Sequence, residues 1–415
     1  MTTSYDSEPD VIVVGGGIGG LSAAFALTRT GVSVRVLERS AEFAEVGAGL
    51  QLAPNGTRIL DDYGLLDEAK QLGVLPTSIL MKDALDGSVL TSLDLNHLAR
   101  RYGSPYLVMH RSDLHGLFLR ACQRAGVDLR TDQHVTSCEN TESGAKATLA
   151  DGAEHAGSLV IAADGLHSTV RQRLVGDEPV NSAYVAYRGA VPIEKVRGNN
   201  ISETDVVVYI GPRCHFVQYP LRGGEMFNQV AVFESARAGR GEQDWGTPDE
   251  LDAAFAHTTE NIQLGLPLIG RDRWWRMFDR DPIGTWVHGR IALLGDAAHP
   301  PLQYLAQGAI MAIEDGYVLA EHLAATQDAD RALAAYQAVR PEHCRRVLTT
   351  SRAWGSLWHL DGEQRDRRNQ ILRARDPHDY SFTDWLYSTT ALTPSQEPQM
   401  FTPIPLTALS PAPTP

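Results

Sequence analysis

Asp10–Leu27 reads DVIVVGGGIGGLSAAFAL, and Ser33–Glu38 reads SVRVLE. The apolar run up to Val14 has the length of a short strand, the glycines after it form a turn, and Leu21, Ala24, Phe25 and Leu27 recur at helical spacing. Ser33–Leu37 is a second strand, which closes a βαβ unit whose parallel strands are covered on both faces. Gly15, Gly17 and Gly20 fit GxGxxG at the strand-to-helix turn, and Glu38 ends the second strand about 20 residues on. Small residues there let backbone N–H groups approach a pyrophosphate at the positive end of the helix, while the Glu38 carboxylate accepts hydrogen bonds from a ribose. Arg39 follows Glu38 and is expected beside the same dinucleotide. The fingerprint by itself suits FAD and NAD equally.

Working outward, Ser158–Ala162 and Arg290–Leu294 are short apolar strands that run into glycine and aspartate, and are expected to extend the same parallel sheet. Between them Ala183–Val191, Asp205–Ile210, Cys214–Leu221 and Asn228–Phe233 are strand-like with little helix between, which suggests a separate antiparallel lobe. After Gln307 the pattern is helical, over Ala309–Ala325 and Arg331–Thr349. Pro394–Pro415 is rich in Pro, Ser and Thr and is expected to be disordered.

The chain has 415 residues, enough for more than one core, and at 43% hydrophobic and 21% charged its composition is that of a globular protein. A formal net charge of -14 argues against a nucleic-acid partner, which needs clustered Lys and Arg. An anionic small substrate would have to be drawn in by local positive groups. Cys122, Cys138, Cys214 and Cys344 have neither CxxC pairing nor zinc-site spacing, so they read as buried or incidental thiols and no metal is expected. Asp6 and Glu8 stand where a signal peptide would be basic and then apolar, and no stretch approaches the roughly 20 apolar residues of a membrane span. A cytoplasmic protein is the expectation.

Two further strings separate FAD from NAD. Ile161–Arg171 reads IAADGLHSTVR and Leu294–Pro301 reads LGDAAHPP. With the glycine fingerprint, in this order, they resemble the three signatures of the class A flavoprotein monooxygenases. That resemblance implies an α/β fold with a Rossmann-like FAD-binding domain, an interleaved, mainly antiparallel substrate sheet and a helical C-terminal region. The corresponding boundaries are 1–180 for the first part of the FAD domain, with a substrate-side excursion around 75–110, then 181–285, 286–390, and a tail over 391–415. It also implies that Asp296 binds the ribityl chain of FAD, that Asp164 serves flavin and nicotinamide alike, and that Arg111, in HRSDL, reaches toward the ribityl or phosphate region. The helix starting near Gln307 and Gly308 would turn its positive end to the flavin pyrimidine ring. Many relatives have glycine before this Gln and Asn two residues after Gly308, whereas this chain has Ala306 and Ile310. There is no second GxGxxG, as is normal in a family whose NADH or NADPH reduces the flavin and leaves.

Gly211–Glu225 (GPRCHFVQYPLRGGE), Arg273–Phe278 (RWWRMF) and Pro300–Tyr304 (PPLQY) resemble the 3-hydroxybenzoate 6-hydroxylases more narrowly. His215, Val217 and Tyr219 alternate onto one strand face, so His215 and Tyr219 can share a cavity that Gln303 approaches from the opposite wall. In this family reduced FAD and O2 give a C4a-hydroperoxyflavin, an electrophile toward a phenolate. A phenol with a pKa near 10 costs roughly 4 kcal/mol to ionise at pH 7. A neutral His titrating near the working pH can take that proton. His215 is the expected base, Gln303 an orienting hydrogen-bond partner, Tyr219 a donor or acceptor beside the ring or carboxylate, and Tyr106 a candidate for the carboxylate. Trp274 and Trp275 are expected to pack in a core or domain interface.

The activity so implied is NADH-dependent conversion of 3-hydroxybenzoate to 2,5-dihydroxybenzoate by a homodimer. Two readings stand beside it: a hydroxylase of another phenolic acid, including the decarboxylating salicylate type, and a flavin-binding redox sensor without catalysis. The WxWxIP signature of flavin-dependent halogenases is absent.

Overall fold

The computed structural model describes residues 9–388 except 46 and 200, and the segment expected to be disordered lies outside them. Val11–Val14, Leu159–Ala162 and Ile291–Leu293 are buried along their whole length, as strands covered on both faces must be. They lie in one six-stranded sheet in the order Val287–His288, Ile291–Leu293, Leu159–Ala162, Val11–Val14, Val34–Leu37 and Asp128–Arg130. All its pairs are parallel except the one made by Val287–His288. The two distant apolar strings therefore do return to the opening βαβ unit. Helices Ile18–Thr28 and Gly308–Thr326 pack against each other beside this sheet.

A second sheet of seven strands runs in the order Trp275–Asp279, Val180–Pro192, Met226–Glu234, Cys214–Leu221, Asp205–Gly211, Ser78–Asp83 and Val89–Asp94. It is antiparallel except where Asp205–Gly211 meets Ser78–Asp83. Cys214–Leu221 is buried on both faces. Cys214 and Phe216 enter a hydrophobic cluster with Phe255 and Leu266, while His215, Val217 and Tyr219 face a cavity. The sheet thus has a packed side and a functional side, separated by the period-2 alternation of its strands. Trp274 packs against that cluster and Trp275 against the main core.

The last long helix exceeds its sequence expectation. Helical structure continues from Ala329 to Trp358, with Pro341 inside it, and ends at His359. The helix is tied down by buried charge: Arg340 bonds Asp315 Oδ1 at 2.7 Å and Glu314 Oε2 at 3.0 Å, and all three side chains are essentially inaccessible. Burial alone would raise the Glu314 pKa, but Arg340, His343 and Asn55 hold it at about 2. Helix Gly362–Arg373 is fastened to the second sheet through Asp83, which accepts from Arg365 at 2.7 Å and from Asn369 at 2.6 Å. All four cysteines are buried and unpaired.

Candidate active site

One cavity of about 790 Å³ runs from the glycine fingerprint to the functional side of the second sheet. Gly15, Gly17, Glu38, Arg39, Arg111, Asp164, Asp296, Gln307 and Gly308 line it together with Tyr106, His215, Tyr219 and Gln303. Every candidate catalytic, substrate-binding or cofactor-binding residue named from the sequence except Gly20 is on that wall. Gly20 acts from behind, since a Cβ there would stand 1.9 Å from the Gly15 carbonyl oxygen.

The fingerprint end is shaped for a dinucleotide. Gly15 has φ +104°, and a Cβ there would meet the Ala163 carbonyl oxygen at 2.4 Å, so any side chain would be both strained and blocked. At Gly17 an added Cβ would find nothing nearer than Glu45 Oε2 at 4.0 Å, which leaves open space over the first turn of helix Ile18–Thr28. Gly17 provides no side-chain cap, so the first amides of that helix remain available to a phosphate. Glu38 is positioned by the Gly16 N–H at 2.7 Å and the Ser40 N–H at 2.8 Å, and each oxygen keeps a lone pair for a ribose hydroxyl. Arg39 is exposed at the rim, and Arg111 is ion-paired with Glu45 at 2.5 Å.

The second and third strings are locked to each other. Arg171, fully buried, donates to the carbonyls of Ala297 at 3.1 Å and Ala298 at 2.6 Å, and pairs with Asp177 at 2.6 Å. Asp315 accepts from the Gly295 N–H at 2.9 Å and from His299 at 2.5 Å, which fixes the turn carrying Asp296. Burial opposes protonation of His299, but the Asp315 carboxylate prevails and raises its pKa well above the ordinary value. Asp164 accepts from Ser168 Oγ at 2.5 Å and the Val170 N–H at 3.3 Å, so its carboxylate shapes its own loop as well as lining the cavity. Burial raises its pKa. Gln307 precedes helix Gly308–Thr326 and is held by Asn55 Nδ2 at 2.9 Å, while its own Nε2 is buried without a partner. That unused donor and the open start of the helix suit a flavin ring edge. Ala306 has φ +53°, the left-handed region in which glycine is least strained, so the alanine here carries backbone strain that a glycine would not. Together these features fit FAD: Gly17 and the helix amides at the pyrophosphate, Glu38 at the ribose, Asp296 on the ribityl side and Gln307–Gly308 at the ring.

At the other end, a transverse row of the second sheet forms the floor. Arg188 is opposite Val230, Val230 opposite Val217, Val217 opposite Val208, and Val208 opposite Met81, and all five line the cavity. Above it runs a directional chain of hydrogen bonds. Arg188 donates to Gln303 Oε1 at 2.7 Å, which leaves the Gln303 amide nitrogen facing His215 Nε2 at 3.3 Å. His215 Nδ1 meets His359 Nε2 at 2.9 Å. A guanidinium only donates, so the order of the whole chain follows from its first link. His215 Nε2 is the acceptor, its proton sits on Nδ1, and Nδ1–H donates to His359 Nε2. The two rings lie nearly parallel, with centroids 5.1 Å apart, and Trp358 and Tyr304 enclose His215.

His215 does not titrate near the working pH as the sequence reading expects. Its complete burial, with His359 and Arg188 beside it, pushes its pKa well below the ordinary histidine range. His359 is similarly lowered, to about 3, by burial and Arg368. The pair is neutral, and His215 offers a lone pair at fixed position. Tyr106 donates to Gln51 Oε1 at 2.6 Å, which commits its only proton, and burial raises its pKa well above that of a free phenol. Tyr219 is raised likewise by burial, opposed by Arg188.

The sequence reading missed Arg188, His359, Asn55 and Gln51. Arg188 had a signal: it is the lone charge in the apolar strand AYVAYRGAV. His359 had none, because its partner lies 144 residues away.

The family model described as "FAD binding domain" matches residues 8–351. The 3-hydroxybenzoate 6-hydroxylase of Polaromonas naphthalenivorans is 38% identical over 91% of this chain and 95% of its own length. The 3-hydroxybenzoate 6-hydroxylase 1 of Aquipseudomonas alcaligenes is 39% identical, over 91% and 97%. Among solved structures, Klebsiella pneumoniae HpxO complexed with FAD and uric acid superposes with a TM-score of 0.79 at 27% identity, covering 92% of this chain and 96% of that one. On the match to most of its length, the chain belongs to the FAD binding domain family, among its flavoprotein monooxygenases.

Proposed function

We propose that this protein converts 3-hydroxybenzoate to 2,5-dihydroxybenzoate, consuming NADH and O2. The observation that carries the reading is the ordered chain from Arg188 through Gln303 to His215 and His359, which turns a neutral imidazole lone pair into a cavity that also serves the dinucleotide fingerprint. The names of the two 3-hydroxybenzoate 6-hydroxylase relatives support the choice of substrate.

Bound FAD would supply the redox chemistry, taking electrons from the nicotinamide and activating O2. The protein's own residues handle the phenol. The Val217, Val230 and Val208 floor receives the ring, and the phenolic O–H donates to His215 Nε2. The existing 3.3 Å contact of Gln303 with that nitrogen is long, so a phenol competes for it readily. The displaced Gln303 N–H then donates to the phenol oxygen and holds the ring in register. His215 is a weak base, so it shares the proton in the resting complex and takes it as the new C–O bond forms para to the hydroxyl and the phenol becomes more acidic. Tyr219, beside Arg188, positions the other side of the ring. Burial of these groups excludes water and strengthens each contact.

We further propose a division of labour in which 1–180 and 286–390 hold the cofactor and 181–285, with the 75–110 excursion, holds the substrate. The protein is proposed to act as a homodimer, on family resemblance, and light scattering tests it. A cytoplasmic location agrees with four unpaired thiols and a need for reduced nicotinamide. None of the described helices is long and apolar enough to cross a membrane.

The test is a panel of phenolic acids assayed for both nicotinamide oxidation and hydroxylated product. The expected result is close to one 2,5-dihydroxybenzoate per NADH with 3-hydroxybenzoate. Tight coupling with a different acid, and only hydrogen peroxide from 3-hydroxybenzoate, would refute the substrate assignment.

A further inference from the structure

The transverse row that floors the cavity is apolar except at one end. Val230, Val217, Val208 and Met81 present only hydrocarbon or thioether, whereas Arg188 presents a guanidinium. Arg188 lies deep in the protein, and the surface it retains lines the cavity. It donates to Gln303 Oε1 at 2.7 Å. Among the described residues it has no carboxylate within ion-pairing range, and its buried Nε has no hydrogen-bond partner. The contrast with neighbouring arginines is sharp: Arg111, on the same cavity wall, is neutralised by Glu45, and the fully buried Arg171 and Arg340 are neutralised by Asp177 and by Glu314 and Asp315. A buried cation without a counter-ion is costly to maintain, and a site that keeps one is arranged for an anion that arrives from solution.

We propose that Arg188 is the carboxylate anchor of the substrate site, so that this cavity selects aromatic acids over neutral phenols. The inference rests on the reading of the cavity as an aromatic-acid site. Several observations converge on it. Trp275 lies against the guanidinium, its ring centroid 5.8 Å from Cζ, which restrains the plane of the fork. The donors not spent on Gln303 remain for a carboxylate, which matches such a fork with two parallel hydrogen bonds. The distances also agree. Two hydrogen bonds and the width of one amide separate Arg188 from His215 Nε2 by no more than about 8 Å. A benzoate with a meta hydroxyl spans about 6 Å between its outer oxygens, so one ring lying on the valine floor reaches both ends. Tyr106, the sequence candidate for this role, has its hydroxyl proton engaged by Gln51 and carries no charge. Arg188 therefore acts twice, holding the acid and orienting the Gln303 amide that fixes the acceptor state of His215.

The experiment measures equilibrium binding to the FAD-loaded protein by the perturbation of flavin absorbance, with benzoate, benzamide, 3-hydroxybenzoate and 3-hydroxybenzamide as probes. The expected result is that wild type favours each acid over its amide, and that Arg188→Met weakens the acids by about 10- to 100-fold while changing benzamide, which has no hydroxyl for Gln303 and His215 to hold, by less than about threefold. Arg188→Lys should recover part of the acid preference, because it restores charge without the fork. Flavin content should be equal in all three proteins. An unchanged acid preference in Arg188→Met overturns the proposal. Benzoate separates this question from the reaction. A wild type that prefers benzoate to benzamide through Arg188 yet never hydroxylates 3-hydroxybenzoate retains the anchor and refutes the activity, whereas one that binds both alike refutes the anchor.

Discussion

Replacing His215 with alanine removes the acceptor toward which the hydrogen-bond chain from Arg188 is directed. A phenol with a pKa near 10 is ionised about once in a thousand molecules at pH 7, a deficit of roughly 4 kcal/mol. General-base contributions of 10²–10⁴-fold are typical, so the hydroxylation step in His215→Ala should slow by about 10³-fold at pH 7. Electron delivery from NADH should persist, because the fingerprint, Glu38 and the Asp296 turn belong to the other sheet and its connections. The variant should therefore consume NADH and release hydrogen peroxide in place of product. Its His359 and Gln303 partners are left unsatisfied, which costs about 1–3 kcal/mol each in stability. For that reason the assay is product formed per NADH consumed, a ratio insensitive to the amount of folded enzyme. Its pH dependence is diagnostic. Wild-type coupling should be flat from pH 6 to 9, because His215 is already neutral throughout. In His215→Ala the hydroxylation rate should climb about tenfold per pH unit as solvent ionises the phenol in place of the missing acceptor. Wild-type coupling in the variant across this range would make His215 a packing residue and refute the reasoning.

Gly15→Val should yield protein without flavin, since its Cβ would stand 2.4 Å from the Ala163 carbonyl oxygen at a φ of +104°; undiminished flavin per protein would remove the cofactor assignment. Arg340→Met strands two buried carboxylates and should cost about 3–5 kcal/mol, read as a fall in the denaturant midpoint; a loss under 1 kcal/mol would show that water or relaxation compensates. His359 has a folded-state pKa of about 3, below its unfolded value near 6.5, so the unfolded chain binds the proton more readily and stability falls as pH drops below 6.5. Between pH 7 and pH 5 wild type should lose about 2 kcal/mol more than His359→Phe, measured by urea unfolding at each pH; parallel profiles would show that His359 is solvated and not depressed.

The glycine fingerprint, the IAADGLHSTVR and LGDAAHPP turns and the alternation of His215, Val217 and Tyr219 were legible in the sequence because each depends on neighbours a few residues away. A strand's period of two places His215 and Tyr219 on one face whatever the strand pairs with, and a strand–glycine–helix order builds the same turn in any context. The tertiary structure decided what distant segments do to one another. The row from Arg188 to Met81 depends on the mutual register of five strands drawn from 78–234, and a slip of one residue in any of them would turn its side chain to the opposite face. His359 reaches His215 only because a helix predicted to stop at Thr349 runs on through Trp358. The titration of His215 likewise belongs to no local string: desolvation sums over every group packed around the ring, and that enclosure, assembled from Tyr304, Trp358, His359 and Arg188, keeps the imidazole neutral where the amino acid by itself would be half charged near pH 6.5.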